Sequence, residues 1–196
     1  MGQIVVGGIT VLTHLNPFAV ASHFLLSIAV IAGALSLRNR VLQTPRSELA
    51  TPSRQLTQAI FALTAFVITL GTVVTGSGPH AGDIAAKRFA IDPRTISWLH
   101  ADSVIALISL SLGLALLLHV QRADSTIRYK FNIFITIALG QGIIGYTQYF
   151  TKLPALLVAA HLLGATLLWL SLCDVAYASH ALSRRSTRSS ISRAHQ

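Results

Sequence analysis

Charge is scarce in this chain. Of its 196 residues, only 11% are charged and 53% are hydrophobic, and the mean hydropathy is +0.64. A soluble domain contains about 25% charged residues, because its surface has to be hydrated. This composition therefore argues against an ordinary soluble protein. A disordered chain is excluded as well, since disordered chains are poor in apolar residues.

Cysteine is almost absent from the sequence. Cys173 is the single cysteine, so no disulfide can form within the chain, and the residue is expected to pack as a small side chain.

Residues 2–12 are apolar but lack the basic start and the cleavage site of a signal peptide. As a helix they rise only about 16 Å. We interpret them as the end of a helix whose beginning lies outside this chain.

Long apolar segments are what the chain contains instead. A helix needs about 20 largely apolar residues to cross a bilayer, and none of the five longest segments has Lys or Arg in its middle. They are residues 18–37, 56–75, 96–120, 131–147 and 153–176. The pattern predicts an all-α fold: a polytopic membrane helix bundle with five transmembrane helices plus an N-terminal partial helix.

The basic residues are distributed unequally between the segments that connect these blocks. Eleven lie in alternate connections and at the C-terminus: Arg38, Arg40, Arg46, Arg54, Arg122, Arg128, Lys130, Arg184, Arg185, Arg188 and Arg193. Only four lie in the others: Lys87, Arg88, Arg94 and Lys152. Because positive charge accumulates on the cytoplasmic side, residues 38–55 and the C-terminus are predicted to be cytoplasmic, in a multi-pass plasma-membrane protein.

The net charge of +9 is explained by the same distribution. Basic residues beside membrane spans anchor a protein to anionic lipid, so we interpret them as contacts with the lipid bilayer and predict no nucleic acid partner. Residues 181–196 form a Ser- and Arg-rich tail without an apolar period, which we predict to be disordered.

An internal repeat is the most informative pattern in the sequence. Shifting the chain by 138 residues aligns Gly2-Gln3 with Gly140-Gln141 and His23 with His161, with nine identities in about 26 positions. Duplicated units are common in membrane proteins. Each copy is predicted to contain a helix end, a short outer turn with Pro17 or Pro154, and a descending helix that carries a histidine.

Three of the eight histidines are predicted to occupy matching depths in the bundle. His23, His100 and His161 each lie about two turns, or roughly 10 Å, into a helix that descends from the outer face. Such residues are costly within the hydrocarbon and usually have a partner. A hydrogen bond to a neighbouring helix is one explanation for each. Two imidazoles on parallel helices also suit one iron, so we favour His100 and His161 as metal or haem ligands.

A glycine-rich run at residues 76–83 superficially resembles a phosphate-binding loop. It follows a membrane helix and precedes no helix start, so this interpretation fails. We predict instead a tight outer turn that holds His80 and Asp83 over the mouth of the bundle.

Several separated motifs resemble bacterial haem A synthase, in the order in which that family has them. They are GGITVLT at 7–13, LNP at 15–17 with His23, GTVVTGSGPHAGD at 71–83, LHAD at 99–102, and QYFTKLP at 148–154 with HLLGA at 161–165. The similarity runs from about residue 2 to 170.

The resemblance implies an eight-helix membrane enzyme made of two similar four-helix halves. Members of this family oxidise the methyl group at ring position 8 of haem O to a formyl group, which gives haem A for cytochrome oxidase. It implies haem b as an iron cofactor with His100 and His161 as axial ligands, and haem O as substrate with His23 as a ligand. Haem O synthase and cytochrome oxidase assembly factors are the implied protein partners.

The chain departs from the family at its start. It matches a complete C-terminal half, at residues 56–180, and a remnant of the N-terminal half, at residues 1–37. The family's first three helices, its other substrate-side histidine and its outer-loop glutamate are absent, so no catalytic residue is assigned. We expect the chain to bind about one haem, and to need the remaining helices or a second copy of itself for synthase activity.

Haem propionates are anionic and need partners in a low-dielectric site. Lys87, Arg88 and Arg94 precede His100 in the chain, and we predict that they contact the propionates, with lipid phosphates as their alternative partners. Two other functions fit these residues. A b-type membrane cytochrome would need His100 and His161 but not His23, and a haem-free transporter would account for the duplicated halves.

Overall fold

The fold consists of helices and connecting turns. A computed structural model describes residues 1–79 and 85–182, and in that part of the chain it contains six helices and no strand. They are α1 (Gly2–Leu12), α2 (Pro17–Val41), α3 (Thr51–Ser77), α4 (Pro93–Val120), α5 (Ser125–Phe150) and α6 (Ala155–Ala178). The all-α prediction is confirmed. The predicted turn around His80 and Asp83 and the predicted disordered tail, from residue 183 onward, lie outside the described residues.

Several helices begin before the apolar blocks do. α3 begins at Thr51 rather than at residue 56, and α5 begins at Ser125 rather than at residue 131. The Asp124 carboxylate caps α5 by accepting a hydrogen bond from the backbone N–H of Thr126 at 2.8 Å. A hydropathy block ends where polar residues begin, whereas a helix continues to its cap.

Four of these helices are long and apolar enough to cross a membrane: α2, α3, α4 and α6. The bundle is therefore that of a helical membrane protein by length and composition. α5 has 26 residues, which is sufficient length, but Arg128, Lys130 and Asn132 near its start make it more polar. The predicted total of five spans is not confirmed.

Four helices form a closed ring. α3 packs on α4, α4 on α5, α5 on α6 and α6 on α3, while the diagonal pairs α3 with α5 and α4 with α6 do not contact each other. α2 packs on the outside of this four-helix ring against α3 and α6, and α1 packs on α2 alone among the described helices. Because packed helices lie about 8–10 Å apart, diagonal helices of a square ring are separated by roughly 11–14 Å.

The ring has two chemically different ends. At the first, which we call the basic end, α4 and α6 finish and α3 and α5 begin; at the second, the histidine end, α3 and α5 finish and α4 and α6 begin. The main apolar cluster extends from the middle to the basic end and contains Ile60, Val67, Leu107, Leu114, Leu118, Ile127, Phe131, Phe134, Ala138, Leu168, Leu172, Val175 and Ala178. The histidine end contributes no buried residue to this cluster.

Polar contacts fasten the helices together at the basic end. Asp174 of α6 accepts a hydrogen bond from Asn39 Nδ2 of α2 at 3.1 Å and forms an ion pair with Lys130 of α5. Asn39 is fully buried. The Ser53 hydroxyl of α3 donates to Gln121 Oε1, which follows α4, at 2.6 Å. All the helices of the ring are therefore held at this end by buried or half-buried polar groups.

The internal repeat is visible in the backbone. The turn between α1 and α2 has positive φ at His14 (51°) and Leu15 (56°), and the turn between α5 and α6 has it at Lys152 (61°) and Leu153 (59°), which are the positions 138 residues later. Two consecutive left-handed residues are rare outside glycine. The two copies therefore share a specific turn as well as a sequence pattern.

Candidate functional site

Three histidine rings pack against glycines of the preceding helix, all at the histidine end. A Cβ added at Gly7 of α1 would lie 3.2 Å from Cε1 of His23. The corresponding distance is 3.4 Å from Gly71 of α3 to His100, and 3.6 Å from Gly145 of α5 to His161. The absence of a side chain at these glycines leaves the space in which each ring lies. Residue spacing in the sequence predicted the depth of the histidines but did not identify the glycines beside them.

The three histidines occupy equivalent places in their helices. His23 is the seventh residue of α2, His100 is the eighth of α4, and His161 is the seventh of α6. At 1.5 Å per residue, each lies about 9–10 Å below the start of its helix. The predicted match in depth is confirmed within the fold.

The structure brings two of the three histidines together. His100 and His161 lie on the diagonal helices α4 and α6 of the ring, which run in the same direction and do not contact each other. The two rings are near enough to interact electrostatically. His23 lies on α2, outside the ring, and its ring packs against α1. The arrangement is thus a pair of histidines on the diagonal helices α4 and α6 and one separate histidine on α2.

Each of the three rings has an unusual hydrogen-bonding state. Nδ1 of His23, His100 and His161 is buried and has no hydrogen bond of normal geometry among the described residues. The backbone carbonyl of Val67 does interact with the His100 ring, which is the kind of contact that orients a metal-ligating histidine. Leaving a buried polar atom unpaired costs about 1–3 kcal/mol. Three such atoms occupy equivalent places in their helices.

An apolar groove of about 500 Å³ lies between α4 and α5, lined by residues including Val104 and Ile108, one and two turns from His100 along α4. Neither His100 nor His161 lines it. On α5 its wall includes Gly142 and Tyr146, which flank Gly145. No atom lies within 4 Å of where a Cβ on Gly142 would be. The groove is apolar and open to the bilayer side of the ring.

No group of three or more His, Cys, Asp or Glu side chains that could hold a metal is present in residues 1–79 and 85–182. A haem needs fewer protein ligands than a bare metal ion, because the macrocycle supplies the other iron ligands. His100 and His161 are residues of the type that can supply them.

The three predicted propionate contacts have different surroundings. Lys87 is exposed. The Arg88 guanidinium donates a hydrogen bond to the Pro79 carbonyl at 2.8 Å, and the Arg94 guanidinium lies 5.2 Å from the centre of the Trp98 ring. All three lie above the histidine end, and their contact with propionates remains a prediction.

The chain matches no protein-family model, no curated protein and no solved structure. Its function is therefore argued from the geometry of this site and from the motifs in the sequence.

Proposed function

We propose that the four-helix ring binds one b-type haem, whose iron His100 and His161 would hold. The observation that carries this proposal is a pair of histidines at one depth on the parallel, diagonal helices α4 and α6, each against a glycine of a neighbouring helix and each with an unpaired Nδ1. Because α4 and α6 do not contact each other, neither histidine joins one of these helices to the other.

When bound, the haem supplies a one-electron redox centre. The residues of this chain bind and orient it. Gly71 and Gly145 leave room for the rings, and the Val67 carbonyl orients His100.

We further propose that the protein is a haem A synthase, in which haem O is the substrate and its C8 methyl group is oxidised to a formyl group. The support is the set of motifs in family order, together with a second histidine–glycine pair, His23 and Gly7, in the repeated hairpin of α1 and α2. His23 is then a ligand of the substrate haem. Haem O synthase and cytochrome oxidase assembly factors are the proposed protein partners, and a second copy of the chain is a proposed partner for the substrate site.

In this proposal α5 crosses the membrane as a fifth span. It has sufficient length, and it packs between α4 and α6 in the ring. The basic end then faces the cytoplasm, the histidine end faces outward, and the protein resides in the plasma membrane with a cytoplasmic C-terminus. The excess of basic residues at that end supports this orientation.

A second candidate function is a b-type cytochrome that passes electrons without oxidising a substrate. It is favoured by one observation: the ring that contains His100 and His161 is closed, whereas His23 has α1 alone beside it on its outer side. This function needs His100 and His161 as ligands and gives His23 no role.

Absorption spectra of purified variants test the haem site. His100→Ala and His161→Ala should each abolish the low-spin spectrum, because one axial ligand is lost. His23→Ala is the matched control and should keep it, since that ring lies outside the four-helix ring. Full six-coordinate haem in both single variants would overturn the site.

The reaction requires a separate measurement. Haem is extracted from cells that make haem O, lack their own synthase and express this chain, alone or with the family's missing helices supplied as a second polypeptide. Haem A in either case supports the synthase. A chain that binds haem but yields no haem A in both cases is a cytochrome.

A further inference from the structure

A second cavity, of about 310 Å³, lies between α4 and α5 at the basic end of the ring. This is the end opposite the histidine pair, so nothing in the proposed haem site explains it. Its polar lining consists of His119 from α4 and of Ser125, Arg128, Tyr129 and Asn132 from α5. Ser125, Arg128 and Asn132 are three and four residues apart, so they share one face of the helix. The cavity is thus a cluster of hydrogen-bond donors.

Arg128 is the residue that gives the cavity its chemistry. Its Nε is buried and has no hydrogen-bond partner in the part of the chain that the structure describes. Asp124 is the acidic group that interacts with Arg128, but Asp124 Oδ1 is already engaged as the cap of α5, through Thr126. A guanidinium with an unpaired Nε presents two parallel N–H groups to a planar or tetrahedral oxyanion.

The surroundings favour a phosphate group. The start of α5 adds the positive end of a helix dipole, while the other lining side chains offer an imidazole, two hydroxyls and an amide. Leu112, Leu116 and Val120 of α4 are exposed on the lipid-facing surface at this end. Basic pockets between helices beside such apolar surface are typical of phospholipid headgroup sites.

We propose that this cavity binds the phosphate group of an anionic phospholipid, with Arg128 as its bidentate partner and the acyl chains along the exposed face of α4. Tyr129, which is exposed beside the cavity, lies at the depth of the headgroups. The site holds a lipid at the joint between α4 and α5 and is independent of haem binding.

Native mass spectrometry of the full-length chain in detergent tests the proposal. The probes are short-chain phosphatidylglycerol, phosphatidylcholine and inorganic phosphate. The chain should bind one phosphatidylglycerol about tenfold more tightly than phosphatidylcholine. Arg128→Gln should remove this preference, whereas Arg40→Gln, the matched control with the same charge change at an exposed position of α2, should keep it.

Two further variants keep the test decisive if Arg128→Gln does not fold, as judged by circular dichroism. His119→Gln and Asn132→Leu each remove a donor from the cavity and should weaken phosphatidylglycerol binding several-fold. Competition by millimolar inorganic phosphate would support the phosphate site and assign it a soluble ligand. Equal binding of the two lipids, or equal loss in Arg128→Gln and Arg40→Gln, would overturn the proposal.

Discussion

At the scale of single residues, the position of each site histidine depends on a residue that has no side chain. Gly71 and Gly145 contact the rings of His100 and His161 with nothing but backbone. A Cβ alone would contact each ring, at 3.4 and 3.6 Å, and a longer side chain would enter the space of the ring. The glycines should therefore matter for ligand binding as much as the histidines do, although they bind nothing themselves.

A leucine at Gly145 tests this dependence. Its Cβ would begin 3.6 Å from His161 Cε1, so the rest of the side chain should displace the ring, and haem loading should fall at least tenfold. Gly33→Leu on α2, where nothing lies within 4 Å of the added Cβ, should load normally. Haem-to-protein ratios measured after purification decide between them. Equal loading of both variants would contradict the role of Gly145.

The histidines could be predicted from the sequence and the glycines could not, for a physical reason. Depth follows from counting residues along a helix, so His23, His100 and His161 could be placed at one level without a structure. Which residue faces a ring depends on how two helices are rotated against each other. In α2, α5 and α6 the apolar residues surround the helix almost evenly, so the sequence of these helices gives little information on their rotation.

At the scale of elements, a buried polar contact joins α2 to the ring at the basic end. Asn39 is fully buried and joins α2 to Asp174 of α6, which in turn pairs with Lys130 of α5. Near the middle, the Trp169 indole N–H donates to the Ile28 carbonyl at 3.0 Å. The sequence does not reveal this connection, because the partners of Asp174 lie 44 and 135 residues away.

Removal of the Asn39 amide should weaken this attachment. Asn39→Ala leaves Asp174 without one of its two partners, so we expect a loss of about 1–3 kcal/mol in the free energy of unfolding. Ser36→Ala, one turn earlier on α2, is the control and should change it little. Thermal unfolding in detergent measures both. A Tm for Asn39→Ala equal to that of the control would show that the buried amide is not needed.

The start of α4, two turns above His100, depends on a carboxylate cap. Asp92 accepts hydrogen bonds from the backbone N–H and the hydroxyl of Thr95, at 2.8 and 2.7 Å. These hydrogen bonds lower the pKa of the Asp92 carboxyl below its ordinary value. A lowered pKa means that the stabilisation is complete above about pH 4 and is lost as the pH falls through the folded-state pKa.

The substitution Asp92→Asn removes the negative charge of the side chain but keeps an oxygen that can cap the helix. The amide oxygen can still cap the helix, so the variant should unfold at a similar temperature at pH 7 but lose less stability than the unchanged chain between about pH 4 and 2. Melting curves across this range give the comparison. The same acid dependence in both proteins would mean that another carboxylate is responsible.

At the scale of the whole molecule, the bundle type followed from composition, and the number of spans did not. Five apolar blocks predicted five spans, but Arg128, Lys130 and Asn132 make α5 more polar than the other long helices. A helix in a ring can contain such residues where they face a cavity or a partner such as Asp174. Hydropathy averages over the whole circumference of a helix and cannot make that distinction.

Accessibility of introduced cysteines tests the orientation of the bundle. In a Cys173→Ala background, Ala90→Cys should react with an impermeant reagent in intact cells, and Glu48→Cys should react only after the cells are opened. Both positions are exposed in the structure. The expectation rests on eleven basic residues against four. Labelling of Glu48→Cys in intact cells would reverse the topology.

The position of the main apolar cluster in the ring has a consequence for the order of events in biogenesis. Since the apolar cluster extends from the middle of the ring to the basic end, the helices can assemble and hold together before anything enters between His100 and His161. Backbone amides at 131–138 should then exchange with deuterium far more slowly than those at 139–150 in protein made without haem. If the ring binds haem as proposed, the helix bundle would form before the haem enters, and haem delivery rather than folding would limit the rate of maturation.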